Sequence, residues 1–175
     1  MKNLLIIDPY SLDDKDCPIF VQSGDMRSFF SWGIRRRIKS NFNHSMVLWK
    51  NGTLVSQGST YKEIGIDEYM NPGQIMKFWI CEDITDEERA AILFKIKHEL
   101  YQKWYKRMYD WPGIIGALFG LRWFNIPMLN YCSERVSNKV RCILPNIGKH
   151  PNPEDIDQLF KQSPRMKVLG YYFKA

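Results

Sequence analysis

The 175-residue sequence predicts an α+β fold, an antiparallel sheet packed against helices, and three stretches carry that prediction. Residues 45–49 and 53–60 are strand-forming runs joined by Asn51-Gly52, the strongest short hairpin signal, which makes the two strands antiparallel neighbours. Thr85 and Glu88 form a capping box ahead of Ile92, Leu93, Ile96, Leu100 and Trp104, an apolar stripe with helical spacing to about residue 108. Cys132 stands at the first turn of a further helix, capped by Asn130 and followed on one face by Val136, Val140 and Ile143.

The remaining elements follow in chain order. Residues 4–7 and 18–22, rich in Ile, Leu, Val and Phe, read as short strands, and Ser23-Gly24-Asp25 then turns the chain. Over 26–39 the spacing predicts a helix with Phe29, Phe30, Ile34 and Ile38 on one face and Arg35, Arg36, Arg37 and Lys39 on or beside the other. Residues 75–80 give another strand. Tyr109-Asp110-Trp111-Pro112-Gly113 ends the capping-box helix and opens a glycine-punctuated apolar loop that runs to Leu129. Asn152-Pro153-Glu154 supplies a cap, a proline at the first helical position and an acidic first turn for a helix to about residue 162, and 167–173 closes as a strand. There are no internal repeats, low-complexity runs or linker-like shifts, so residues 1–175 read as a single domain.

Composition narrows the function less than it narrows the class. A hydrophobic fraction of 45% and an aromatic fraction of 14% describe a chain that folds around a core. The formal charge of +6 and pI near 9.1 permit an anionic partner without selecting one. Cys17, Cys81, Cys132 and Cys142 have no C-x-x-C spacing and only three histidines to assist them, so no metal site and no cofactor is expected. The N-terminal apolar run is interrupted by Asp8 and Pro9 and is too short for a signal peptide, which predicts cytoplasmic synthesis and free thiols. The longest uncharged apolar run, 111–121, is too short to span a membrane and is broken by proline and glycines.

The chemistry centres on Cys132. Backbone N–H groups and the positive end of a helix dipole favour the thiolate, the nucleophilic form of cysteine. A thiol nucleophile also needs a base, and the base needs a polar group to fix its tautomer. His44 stands at the mouth of the hairpin's first strand. With a plain two-residue turn at Asn51-Gly52, Val55, Gln57 and Ser59 share its face; with a bulge at Gly52, Ser56, Gly58 and Thr60 do. Gln57 is preferred as the orienting group, because its amide oxygen accepts from an imidazole N–H without ionising, with Ser56 and Ser59 as alternatives. His98, set among lysines and glutamates, reads as a surface histidine.

His44-Ser45-Met46-Val47-Leu48-Trp49, a hairpin with a polar residue in its return strand, and Tyr131-Cys132-Ser133-Glu134 far downstream together resemble the permuted branch of the NlpC-type papain-like cysteine hydrolases, the YiiX-like group related to lecithin retinol acyltransferase. The turn Gln22-Ser23-Gly24-Asp25 and the triplet Tyr109-Asp110-Trp111 match that group as well, so the resemblance spans roughly residues 22–140. Histidine before cysteine is the order that defines the permuted branch. The resemblance implies a circularly permuted papain-like (NlpC-type) fold, with Cys132 as nucleophile, His44 as general base and then acid, and Tyr109 beside the oxyanion site. Gln57 stands where YiiX-like proteins tend to carry glutamate, whereas a direct count from the histidine in ordinary NlpC-type sequences reaches Ser56. The implied reaction is acyl transfer from an amide, ester or thioester, with cell-wall peptide or peptidoglycan and lipid or acyl conjugates as the substrate classes. The competing expectation is a non-catalytic module on the same fold that holds nucleic acid or another anion through Arg35, Arg36 and Arg37.

Overall fold

The computed structural model describes residues 5–108, 132–148 and 150–174; Tyr109, the loop to Leu129, Asn130 and Tyr131 lie outside the described residues. Six strands form one antiparallel sheet: β1 (Ile19–Asp25), β2 (His44–Lys50), β3 (Thr53–Gln57), β4 (Tyr61–Gly65), β5 (Gln74–Cys81) and β6 (Met166–Phe173), in spatial order β4-β3-β2-β1-β5-β6. The described helices are α1 (Phe29–Ile38), α2 (Asp86–Leu100), α3 (Cys132–Val140) and α4 (Pro153–Gln162). The chain is therefore α+β, with β2 and β1 at the centre of the sheet.

Each face of the sheet carries its own core. Phe20, Val47, Val55 and Trp79 point to the face covered by α2, α3 and α4, where they meet Ile92, Val136, Ile156 and others. Val21, Met46, Leu48, Leu54 and Phe78 point to the opposite face, under the N-terminal segment and the short turn Ile66–Tyr69. Side chains alternate along a strand, so these two lists fix which way every neighbouring residue faces.

The capping signals are realised as the sequence reads. Thr85 and Glu88 bond reciprocally at the start of α2, and the Asn152 side chain accepts from Glu154 and Asp155 at the start of α4, with Pro153 at the first position. Arg165 clamps the start of α2 to the start of β6, meeting Asp83 and Glu88 at 2.8 Å and the Ile143 carbonyl at 3.0 Å. Gly24 is a close-approach position, since a Cβ there would lie 2.3 Å from the Asn41 carbonyl oxygen.

Several expectations need correction. Ser23-Gly24-Asp25 does not turn the chain but continues β1, paired on both sides to β2 and β5. Residues 5–7 do not form a strand; Ile6 makes an isolated bridge to Tyr171. The return run 53–60 stops at Gln57, and a further strand, β4, follows because Gly58-Ser59 bends the chain back along β3. On α1 the inward face holds Ser31 and Arg35, while Phe29 is 82% exposed, since the helix lies at the rim rather than over the core. α2 ends at Leu100 rather than near 108; Trp104 lies in a separate turn and is exposed. Glu99 takes the place on the buried stripe that Trp104 was expected to extend.

Phe160 of α4 is fully buried, with ring centroids 5.5 Å from both Phe20 and Trp79. Replacing it by alanine should lower unfolding stability by about 3–5 kcal/mol in urea denaturation, against at most about 0.5 kcal/mol for Phe94→Ala on the exposed side of α2.

Candidate functional site

His44 opens β2. Its Nε2 lies 2.8 Å from the Ser56 hydroxyl, and that hydroxyl lies 2.8 Å from the Tyr69 hydroxyl. The Tyr69 ring stacks on the imidazole, with centroids 5.8 Å apart and planes 13° from parallel. In the tautomer with the proton on Nε2, His44 donates to Ser56, Ser56 donates to Tyr69, and Nδ1 keeps its lone pair. Burial pushes the imidazole down to about 4, so the ring is neutral through the physiological range. Tyr69 is raised, first by burial, and the charge of Cys132 is among the contributions that raise it further.

Ser56 rather than Gln57 meets His44 because of the hairpin register. Lys50 pairs with Thr53, as a two-residue turn requires, and Gly52 supplies its positive φ of 64°. Between Leu48 and Lys50 the register shifts: Leu48 pairs with Leu54 and Val47 with Val55, leaving Trp49 as the extra residue. The bulge lies in β2 and not at Gly52, but its effect on the faces is the one a bulge predicts. Ser56 joins His44, and Gln57 turns to the helix face.

There Gln57 has another task. Its Nε2 donates to the Arg107 carbonyl at 2.9 Å and its Oε1 accepts from Arg135 Nε at 3.1 Å. Arg135 also donates to the Lys106 carbonyl at 2.6 Å and lies 3.6 Å from Glu99. Lys139, wholly buried, pairs with the same Glu99, and both cations lie over the Tyr61 ring, at 5.1 Å for Arg135 and 4.8 Å for Lys139. Burial draws Lys139 down to about 8 against the pull of Glu99. This cluster fixes α3 to β3, α2 and the segment that precedes residue 109.

Cys132 is the first residue of α3 and is buried. It lines a narrow void with Ser45, Val47, Val55, Tyr61 and Val136. Ser45 follows His44 in β2 and points to the helix face, so the thiol end of α3 lies against the strand that carries the histidine. His44 itself belongs to the other face and, as the first residue of β2, pairs with Ser23 of β1. Among the described residues the buried hydroxyl of Ser45 has no hydrogen-bond partner. Among the described residues none of the four cysteines forms a disulfide. Ser59 lies in the bend after β3 and is exposed, and Tyr109 lies outside the described residues. His98 is exposed on α2 and stacks on Phe94. Of the three arginines on α1, Arg35 and Arg36 line a common groove, and Arg37 is not among its lining residues.

Tyr69, Glu99, Arg135 and Lys139 were not singled out by the sequence reading. The ion-pair cluster had a signal: Glu99 continues the Ile92–Ile96 stripe at helical spacing, and a carboxylate on a buried stripe calls for buried cations. Tyr69 had none, since only the long-range folding of β4 brings it beside His44.

No family model and no curated protein matches the sequence. Among solved structures, the metalloprotein YiiX from Escherichia coli O157:H7 superposes with a TM-score of 0.59 at 10% identity, over 89% of this chain and 97% of that one. The fold is YiiX-like. YiiX is described as a metalloprotein; among the described residues of this chain no three His, Cys, Asp or Glu side chains gather closely enough to hold a metal ion. Also among the described residues, no helix is long and apolar enough to cross a membrane.

The depressed His44 carries a stability signature. Folded His44 resists protonation that the unfolded chain accepts near 6.5, so its contribution is intact above that pH and is lost as pH falls toward about 4. Thermal unfolding between pH 7 and 4 should show up to about 3 kcal/mol of acid destabilisation that His44→Gln removes.

Proposed function

We propose that this chain is a cysteine hydrolase or acyltransferase of circularly permuted papain-like architecture, with Cys132 as nucleophile, His44 as base and Ser56 as the group that orients the imidazole. The observation that carries the reading is the His44–Ser56–Tyr69 hydrogen-bonded chain, which engages Nε2 and leaves Nδ1 open, at the end of the strand against which Cys132 lies. Ser56 replaces Gln57 in the proposed triad, because Gln57 is engaged by Arg135 and Arg107.

In this mechanism His44 Nδ1 takes the proton from Cys132 as Sγ attacks the carbonyl carbon of an amide, ester or thioester. The carbonyl electron pair moves onto oxygen, giving a tetrahedral oxyanion. The Cys132 backbone N–H would donate to that charge, the resemblance adds Tyr109, and the Ser45 hydroxyl beside Cys132 is a further candidate donor. Collapse expels the leaving group, which takes the proton from His44, and leaves a thioester on Cys132. Water or another acceptor, deprotonated by His44, then releases the acyl group. The buried imidazole is a weak base until negative charge develops on Sγ, which raises its affinity for the proton in step with the attack. Cell-wall peptide and lipid or acyl conjugates remain the substrate classes that the resemblance implies.

Short p-nitrophenyl esters test the chemistry. Intact-mass analysis should find one acyl group on Cys132, forming about 10²-fold or more slowly in His44→Ala and at the wild-type rate in Cys17→Ala. Ser56→Ala should slow it more than Gln57→Ala does in those molecules that remain folded. Acylation that is indifferent to His44, or that appears on Cys17, Cys81 or Cys142 instead, would sink the reading.

A further inference from the structure

A groove of about 730 Å³, within the roughly 300–1,000 Å³ range of small-molecule sites, runs between α1 and α4. Lys77 and Lys161 lie in it, but both are engaged by Asp157, at 2.7 and 2.6 Å. Arg35, Arg36, Lys39 and Glu154 also line it; the Glu154 carboxylate accepts from Gln158, and among the described residues none of the three cations meets a carboxylate. Arg35 is the telling member. It is only 9% exposed, yet its Nε donates to the Ser31 carbonyl at 3.3 Å and its Nη1 reaches the Met26 thioether at 2.6 Å, neither of which balances its charge. A buried cation without a counter-charge is costly unless something outside the chain supplies one.

The same rim carries exposed aromatic surface. Phe29 and Trp32 stack with ring centroids 5.5 Å apart and 24° between planes, 82% and 46% exposed, and Arg36 lies 5.4 Å from the Trp32 centroid. A flat apolar platform beside uncompensated cations matches a ligand with both a planar ring and a phosphate. We propose that the α1–α4 groove binds a nucleotide unit, its phosphate held by Arg35, Arg36 and Lys39 and its base stacked on the Phe29–Trp32 platform.

The groove does not overlap the Cys132 site, and the inference does not rest on the function proposed there. Strand register relates the two: Tyr171, Lys77, Gln22 and Ser45 lie in one row across β6, β5, β1 and β2, so the groove floor at Lys77 is two strands, roughly 10 Å, from Ser45. Between them Gln22 is buried and donates to the Pro153 carbonyl at 2.6 Å, so the start of α4 closes the row and the two sites are separate.

Fluorescence anisotropy with a fluorescein-labelled single-stranded DNA of about ten nucleotides tests the proposal, with adenosine monophosphate and inorganic phosphate as competitors. The paired variant Arg36→Gln/Lys39→Gln, both exposed positions, should weaken binding about tenfold or more and reduce the salt slope by about 1.4, while Lys97→Gln/Lys103→Gln leaves it unchanged. Trp32→Ala should weaken binding of the oligonucleotide and of adenosine monophosphate about tenfold and leave phosphate competition unaltered. Competition by the mononucleotide assigns the groove to a free nucleotide; binding of the oligonucleotide alone assigns it to a strand. Absence of binding, binding indifferent to the paired variant or to Trp32→Ala, or groove-dependent sedimentation with phosphatidylserine vesicles in place of nucleotide binding, overturns the proposal.

Discussion

Between Leu48 and Lys50 the β2–β3 ladder accommodates Trp49 as an extra residue, and that bulge decides what each face of β3 presents. One face receives Ser56, which meets His44; the other receives Gln57, which meets Arg135 on the helix that begins at Cys132. A slip of one residue would exchange them. His44 would lose its hydroxyl partner, and Arg135 would lose the amide that seats α3. Histidine orientation and cysteine-helix placement therefore depend on the same local constraint, although no residue serves both.

The second fixed point is the buried charge cluster. Glu99 faces two cations, Arg135 and Lys139, which lie above the Tyr61 ring. Replacing such a cluster by apolar residues is often neutral, whereas removing its lone carboxylate leaves buried positive charge and costs about 3–5 kcal/mol. Its value lies in placement. α3 has a polar sequence yet is buried along nearly its whole length, and an apolar seam alone would leave its rotation and sliding weakly specified. Charge and hydrogen-bond pairing to β3, α2 and the 106–107 carbonyls specify both, and so set where the thiol stands.

Local signals were legible in the sequence where the physics is local. The Thr85–Glu88 box, the Asn152-Pro153 start of α4, the Asn51-Gly52 turn and the Val136–Val140 seam are all found as read, because each rests on contacts within a few residues. Misreadings arose where tertiary context overrides them. β4 could not be separated from β3 by composition, α1 turned Arg35 inward and Phe29 outward because it lies at the rim, and Ser23-Gly24-Asp25 stayed extended because β2 and β5 pair with it from both sides. For the site, His44 and Cys132 were legible as residue types in order, and the choice between Ser56 and Gln57 was framed by alternative registers. The sequence could not place the bulge at Trp49, nor bring Tyr69 beside the imidazole from a turn thirteen residues beyond Ser56.

The central claim is that Cys132 and His44 act as a pair, and the pH dependence of Cys132 alkylation by iodoacetamide reads it most directly. The account predicts that in His44→Ala the profile moves to higher pH than that of wild-type Cys132, because the general base is lost. Superimposable wild-type and His44→Ala profiles would contradict it.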